Sequence, residues 1–219
     1  NKQDSENLND YLSDNFGSDS LFGFDFKPDG NMIYTVDYVE DKVRQFELSS
    51  SWDIRTIKEC VNTISSVDGD QGIRFKPDGT KFWGIKWNSN DVIIYEYDLM
   101  EPWNLTGYTL NTTHTLGDDG ADTGRDLHFS SDGRHLYTTA NDDQIYHWVL
   151  NTPWDISTNS YVGKKDFATS VIIRGLHIRS DGRKLSFVQD TSSANDTDAK
   201  LYQYKLTTAW DITTAVFEH

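Results

Sequence analysis

The sequence predicts an all-β fold, a four-bladed β-propeller with four antiparallel strands in each blade. Two separate motifs each occur four times in the chain, with about fifty residues between successive copies. Internal repeats with a period of about 20 to 50 residues are typical of solenoids and propellers. The 7 Trp, 11 Tyr and 11 Phe among 219 residues favour strands over helices.

The first motif is an Asp-Gly turn, which is a strong hairpin signal because glycine accepts a positive φ. Its copies are Lys27-Pro28-Asp29-Gly30, Lys76-Pro77-Asp78-Gly79, Ser131-Asp132-Gly133 and Ser180-Asp181-Gly182. The second motif is a tryptophan followed by Asp or Asn and then by Ile or Leu. Its copies begin at Trp52, Trp103, Trp154 and Trp210, each four residues after a leucine. We expect each of these tryptophans to cap its own blade and to pack on the next one.

Four short strands fit around these markers in every repeat, which is the pattern of a propeller blade. Strand A precedes the Asp-Gly turn, strand B follows it, strand C alternates apolar and polar residues, and strand D follows the Trp motif. The predicted A strands are 23–26, 72–75, 126–129 and 175–178. Cys60 falls in a D strand and is expected to be a small buried residue.

The whole chain, 1–219, is predicted to be one propeller domain. The blades are expected at about 21–66, 67–118, 119–170 and 171–219, with a closing strand within 1–20. Because the fourth repeat ends inside its D strand, residues 9–16 are expected to complete the outer edge of the last blade and to cover it. The alternative is that the four repeats are a slice of a longer propeller.

The repeat resembles a family of propeller repeats found in phage structural proteins and in bacterial surface proteins. Phe75-Lys76-Pro77-Asp78-Gly79 matches the start of that repeat best, and Thr152-Pro153-Trp154-Asp155-Ile156 matches its end. It is more distantly similar to WD40 and YVTN-type propellers. The resemblance covers about 21–219 and implies the fold more strongly than any function, because propellers host many functions.

The charge excludes several partners. With 35 acidic and 20 basic side chains the net charge is −15, which repels nucleic acid and anionic membrane surfaces. No apolar run approaches the length of a membrane helix, so membrane insertion is not expected. The expected partners are other protein subunits of a larger assembly, or a surface receptor or glycan.

The chain contains none of the common contiguous catalytic motifs, such as Gly-x-Ser-x-Gly or His-Glu-x-x-His. The sequence is therefore interpreted as a non-enzymatic structural or interaction module, a decoration or receptor-binding propeller, with an extracellular or virion-surface location. One alternative is a carbohydrate-binding lectin. A second is an enzyme resembling a glycoside hydrolase, which would need a pair of carboxylates across a cleft.

The loops between strands D and A and between B and C diverge among the repeats and should share one face of the propeller. The candidate partner-binding residues there are Trp87, Asn88, Asn90, Asp91, Asn141, Asp142 and Asp143. The alternative is that their Asp and Asn residues serve hairpin geometry alone. A candidate calcium site lies in the same face, since carboxylates suit hard cations. Its residues are Asp118, Asp119, Asp122 and Asp126. No other cofactor is predicted.

The last candidate site is a polar position shared by the four A strands. Asp25, Arg74, His128 and His177 occupy it and are expected at the same height in the central channel. They could form a self-satisfied polar ring. They could instead bind a metal or another ligand, although Arg74 argues against a symmetric metal site because a guanidinium repels cations.

Overall fold

The computed structural model describes residues 21–65, 67–86, 88, 91–116, 124–140, 143–167, 172–190 and 200–218. These residues form sixteen β-strands and three single-turn 3-10 helices. The strands make four four-stranded antiparallel sheets, and the fold is the predicted four-bladed β-propeller. No helix in the described part of the chain has the length and apolarity that a membrane crossing requires.

Each blade uses its four strands in chain order, from the inner strand A to the outer strand D. Blade 1 contains β1 (Leu21–Phe26), β2 (Met32–Asp37), β3 (Lys42–Leu48) and β4 (Ile57–Ser65). Blade 2 contains β5 (Gly72–Phe75), β6 (Lys81–Lys86), β7 (Val92–Glu101) and β8 (Asn104–Leu116). Blade 3 contains β9 (Asp126–Phe129), β10 (His135–Thr139), β11 (Gln144–Leu150) and β12 (Asn159–Asp166). Blade 4 contains β13 (Ile172–Ile178), β14 (Lys184–Asp190), β15 (Lys200–Leu206) and β16 (Ala215–Phe217). The predicted closing strand in 1–20 lies outside the described residues.

The two repeated motifs bind each other within every blade. Each motif tryptophan donates its backbone N–H to the carbonyl oxygen of the turn glycine, at 2.8 to 3.0 Å. The indole ring then lies directly over that glycine, so that a Cβ there would come within about 2.5 Å of ring atoms. The pairs are Gly30 with Trp52, Gly79 with Trp103, Gly133 with Trp154, and Gly182 with Trp210. The turn and the tryptophan therefore recur together because they are two halves of one contact.

The residue after each motif tryptophan holds the turn that leads into strand D. Asp53, Asp155 and Asp211 cap the 3-10 helices η1 (Ile54–Thr56), η2 (Ile156–Thr158) and η3 (Ile212–Thr214) by accepting a backbone N–H. In blade 2, Asn104 accepts the N–H of Thr106 in the same way, at 2.9 Å. A short polar side chain is favoured at such caps because its oxygen satisfies an otherwise unpaired donor.

The described chain divides into two compact units. The first runs to Gly84 and includes Tyr95–Thr112, whereas the second comprises Ile85–Ile94 and the residues from Thr113 onward. In the first unit, residues of β2 and β3 pack on β5 and β6; in the second, residues of β10 and β11 pack on β13 and β14. We call these two packed boundaries the blade 1–2 seam and the blade 3–4 seam.

Trp103 and Trp210 pack on the preceding blade of their own unit: Trp103 lies 6.2 Å from Tyr34, and Trp210 lies 6.0 Å from His135, between ring centroids. The expectation that each motif tryptophan packs on the next blade stays a prediction. One sequence-based expectation about a single residue is wrong. Cys60 is exposed rather than buried. It lies in β4, the outer strand of blade 1, where most side chains face solvent.

Candidate functional site

The inner strands β9 and β13 lie side by side at the blade 3–4 seam, joined by side chains that bind the neighbouring backbone. The Asp126 carboxylate accepts the N–H of Leu176 at 2.7 Å. Its other oxygen accepts the N–H of Leu127 at 2.8 Å. The His128 Nε2 lies 2.9 Å from the carbonyl oxygen of Ile178. These contacts fix the register between the two strands. They therefore also fix the relative positions of the side chains that the two strands carry.

Two histidines meet across this strand pair. The ring centroids of His128 and His177 are 5.1 Å apart, and the rings are inclined at 73°, in an edge-to-face arrangement. His177 is exposed, whereas His128 is half-buried. Alternation along the strands explains the placement, because Leu127 and Leu176 next to them point into the core. The His177 imidazole therefore faces solvent and packs against the His128 imidazole, which contacts the backbone of Ile178.

Two arginines stand at equivalent positions three residues before these histidines. Arg125 directly precedes β9, Arg174 lies in β13, and both are half-buried. The buried Thr139 links their backbones: its carbonyl oxygen accepts the Arg125 N–H at 2.9 Å, and its hydroxyl donates to the Arg174 carbonyl oxygen at 3.4 Å. We call the set comprising Arg125, Asp126, His128, Arg174 and His177 the inner-strand site.

Sequence reasoning identified three members of this site in two separate proposals and missed both arginines. The signal that could have found them is a pattern shared by only two repeats. Blade 3 reads Arg125-Asp126-Leu127-His128 and blade 4 reads Arg174-Gly175-Leu176-His177, so both have Arg-x-Leu-His. Blades 1 and 2 have Phe22-Gly23-Phe24-Asp25 and Gln71-Gly72-Ile73-Arg74 at the same place. A polar pattern that the fold does not require in every blade points to a site.

The corresponding positions of blades 1 and 2 also bind the neighbouring backbone. The Asp25 carboxylate accepts the N–H of Phe75 at 2.8 Å, just as His128 contacts Ile178. The Arg74 guanidinium donates to the carbonyl oxygen of Phe24 at 3.0 Å. Within each unit these side chains therefore help to hold adjacent inner strands. The prediction that Asp25, Arg74, His128 and His177 form one channel site stays a prediction.

The proposed partner face and calcium site fall mostly outside the described residues. Those undescribed members are Trp87, Asn90, Asn141, Asp142, Asp118, Asp119 and Asp122. The described members Asn88, Asp91 and Asp143 are half-buried. Among described residues there is no cluster of three or more His, Cys, Asp or Glu that could hold a metal ion. Both proposals stay predictions.

The family of the chain follows from its match to known sequences. Residues 22–197 match the model of the family described as lactonase, 7-bladed beta-propeller. This range is most of the chain, and the chain belongs to that family. No curated protein matches the sequence.

Solved structures share the fold at low sequence identity. A putative 6-phosphogluconolactonase from Bacteroides uniformis is 22% identical with a TM-score of 0.53, and one from Bacteroides fragilis is 16% identical with a TM-score of 0.55. The Cps50 (Swd1) β-propeller domain of Myceliophteria thermophila is 11% identical with a TM-score of 0.53. The alignments cover 90 to 91% of this chain but 52, 52 and 59% of those chains. The chain thus spans about half the length of the two bacterial proteins.

The family match corrects the functional predictions made from the sequence. The prediction of a non-enzymatic virion or cell-surface module is wrong, because the family and two structural neighbours carry the names of lactonases. The predicted extracellular or virion-surface location is also wrong, because that prediction depended on the same resemblance to phage and surface proteins. Of that resemblance, only membership among β-propellers is confirmed. The prediction depended on contiguous motifs, and such motifs cannot reveal side chains that the fold brings together from strands about fifty residues apart.

Proposed function

We propose that the chain hydrolyses a small anionic lactone at the inner-strand site. The observation that carries the proposal is the paired Arg-x-Leu-His strands, whose two imidazoles meet at 5.1 Å. Family membership supports the reaction class, and the names of two structural neighbours support a phosphorylated sugar lactone such as 6-phosphogluconolactone.

In the proposed reaction, the exposed His177 acts as the general base. It removes a proton from a water molecule as the water oxygen attacks the lactone carbonyl carbon. The ring C–O bond then breaks, and the departing alkoxide takes the proton back from the imidazolium, which leaves a hydroxy acid. A positioned base of this kind contributes about 10² to 10⁴-fold to the rate. His128 is a positioning residue, because its ring packs against His177 while its Nε2 contacts the Ile178 carbonyl.

The two arginines supply the positive charge that such a substrate needs. A guanidinium binds carboxylate or phosphate oxygens with two parallel hydrogen bonds. It also stabilises the oxyanion that forms when water adds to the carbonyl. We assign Arg125 and Arg174 to these roles because they lie at equivalent positions of the two strands that carry the histidines. Asp126, whose two oxygens accept backbone N–H groups, holds the strands together.

The test is hydrolysis of 6-phospho-glucono-δ-lactone by the 219-residue chain, followed in a pH-stat against the spontaneous rate. We expect His177→Ala to lower kcat by about 10² to 10⁴-fold, the usual contribution of a general base. We expect Arg174→Ala to raise KM for the phosphorylated lactone more than for glucono-δ-lactone. His114→Ala, in the outer strand β8, is the matched control and should retain wild-type kinetics. A wild-type rate equal to the spontaneous rate, or full activity of His177→Ala, would refute the proposal.

A further inference from the structure

A second pair of histidines, separate from the inner-strand site, lies at the blade 3–4 seam. His135 begins β10, and His147 lies on the neighbouring strand β11, where it is paired in register with Tyr137. The His135 Nδ1 and the His147 Nε2 are 2.9 Å apart, which is a hydrogen bond between two imidazoles. His147 is buried, with 6% of its surface exposed. The proposed hydrolysis uses neither residue.

The pair belongs to a stack of rings that crosses from blade 3 to blade 4. The rings of Tyr137 and His147 are stacked, with their centroids 4.5 Å apart and their planes inclined at 15°. The His135 ring is stacked on the Trp210 ring of blade 4, with a centroid distance of 6.0 Å and an angle of 10° between the ring planes. The Tyr137 hydroxyl also donates a hydrogen bond to the Trp210 carbonyl oxygen. Blade 3 therefore holds the Trp turn of blade 4 through rings whose arrangement depends on the histidine pair.

The hydrogen bond within the pair requires one of the two facing nitrogens to lack a proton. If both rings are protonated, both nitrogens are donors, and two positive charges face each other in a poorly solvated place. The surrounding charges are Asp132 in the turn before β10 and Asp211 after the tryptophan, and both favour protonation. Burial outweighs them: it lowers the pKa of His135, and it lowers the pKa of His147 to about 4. Lys164 of β12 lies over the ring of Tyr146, the residue that precedes His147.

The blade 1–2 seam has the same arrangement without histidines. Met32 and Gln45 occupy the positions that correspond to His135 and His147, and Tyr34 corresponds to Tyr137. There the Gln45 side-chain amide donates to the Trp103 carbonyl oxygen at 3.1 Å, and the Tyr34 hydroxyl donates to the same oxygen. The seam therefore does not require histidines, and the histidine pair is a specific property of blade 3.

We propose that His135 and His147 form a pH-sensitive latch, which holds the Trp turn of blade 4 through the hydrogen bond between their rings and lets it open more often as protons compete for the two facing nitrogens. The direction of the pH effect on stability follows from the burial of the pair. An unfolded histidine takes up its proton near pH 6.5, before the buried pair does, so the stabilisation is complete above that value. It is lost as the pH falls from about 6.5 towards 4.

The test is hydrogen exchange of the wild-type chain at pH 7 and pH 4.5, corrected for intrinsic exchange rates. We expect protection of the η3 and β16 amides to fall at least tenfold at the lower pH. The double variant His135→Met, His147→Gln copies blade 1 and should keep its protection at both values. His114→Gln should behave as the wild type. Unchanged protection of the wild type, or an equal loss in the double variant, would overturn the latch.

A titration of the wild-type imidazoles by NMR keeps the latch testable even where the double variant fails to fold. We expect two coupled rings, one of which stays neutral well below the range of an exposed histidine. Two independent titrations in the ordinary range would overturn the proposal. None of these measurements uses a substrate, so the latch and the proposed lactone hydrolysis can fail separately.

Discussion

The substitution Gly182→Ala tests the contact that unites the two repeated motifs. Gly182 has a φ of 68°, a left-handed conformation that alanine adopts with difficulty. A Cβ at this position would lie 2.5 Å from two atoms of the Trp210 indole, so the ring would have to move. The matched control is Gly175→Ala in the same blade. Among the described residues, the new methyl group there would meet only Val188, at 3.9 Å, which is an ordinary contact.

Three effects determine how much Gly182→Ala changes the free energy of unfolding. The left-handed conformation costs a non-glycine residue about 1 to 2 kcal/mol. Reduced entropy of the unfolded chain returns about 0.4 to 1 kcal/mol. Displacement of the indole loses a large part of the roughly 1.5 to 3 kcal/mol that burying a large side chain contributes. We therefore expect Gly182→Ala to lower the free energy of unfolding by about 2 to 4 kcal/mol, whereas Gly175→Ala should change it by less than about 1 kcal/mol.

Thermal unfolding followed by tryptophan fluorescence measures both variants. For a chain of this length each kcal/mol corresponds to about 2 to 4 °C in Tm, so Gly182→Ala should melt roughly 5 to 15 °C below the wild type. A Tm within about 2 °C of the wild type would show that the indole does not depend on a bare backbone beneath it. An equal loss in Gly175→Ala would show that any added methyl group in this blade is harmful.

Two further predictions concern buried polar contacts, and urea unfolding measures both. Tyr137→Phe should lower the free energy of unfolding by about 2 kcal/mol, and Tyr34→Phe should lower it by about 1 kcal/mol. The second value is smaller because the carbonyl oxygen that accepts from Tyr34 also accepts from the Gln45 side-chain amide, and equal losses would contradict this reasoning. Glu96→Ala should lower the free energy of unfolding by about 3 kcal/mol, since the buried Glu96 accepts from the Trp83 indole N–H at 3.0 Å and from a lysine; a loss below about 1 kcal/mol would contradict it.

The sequence predicted most of the fold because the signals for it are local. An Asp-Gly turn with a positive φ, strand alternation and a capping Asp or Asn each act within a few residues, and each recurs four times. The contacts of Trp103 and Trp210 with the preceding blade were not predicted, because no local signal shows which neighbouring blade a side chain faces. Cys60 was misjudged for a related reason: an outer strand exposes positions that an inner strand would bury.

The site was harder to predict because its residues are brought together by the packing of two blades. His128 and His177 stood out as polar residues among apolar neighbours, but nothing in the chain indicates that their rings touch. Arg125 and Arg174 directly precede the predicted A strands, 126–129 and 175–178, so in the sequence they look like ordinary loop residues. Comparison of the repeats with one another reveals them, since only two of the four copies carry the pattern.

The repeats also differ from one another beside the blade 3–4 seam, where both proposed features lie. One strand B position and one strand C position, whose side chains contact each other, hold a different pair in each blade. The pairs are Met32 with Gln45, Lys81 with Glu96, His135 with His147, and Lys184 with Gln203. The backbone that carries them is the same, so their chemistry can change without a change of fold. Of the four pairs, the histidine pair is the one made of two imidazoles, the side chains whose ordinary pKa lies nearest to neutral pH. It lies at the seam that also carries Arg-x-Leu-His twice, which joins a pH-dependent contact to the strands that we propose act on the substrate.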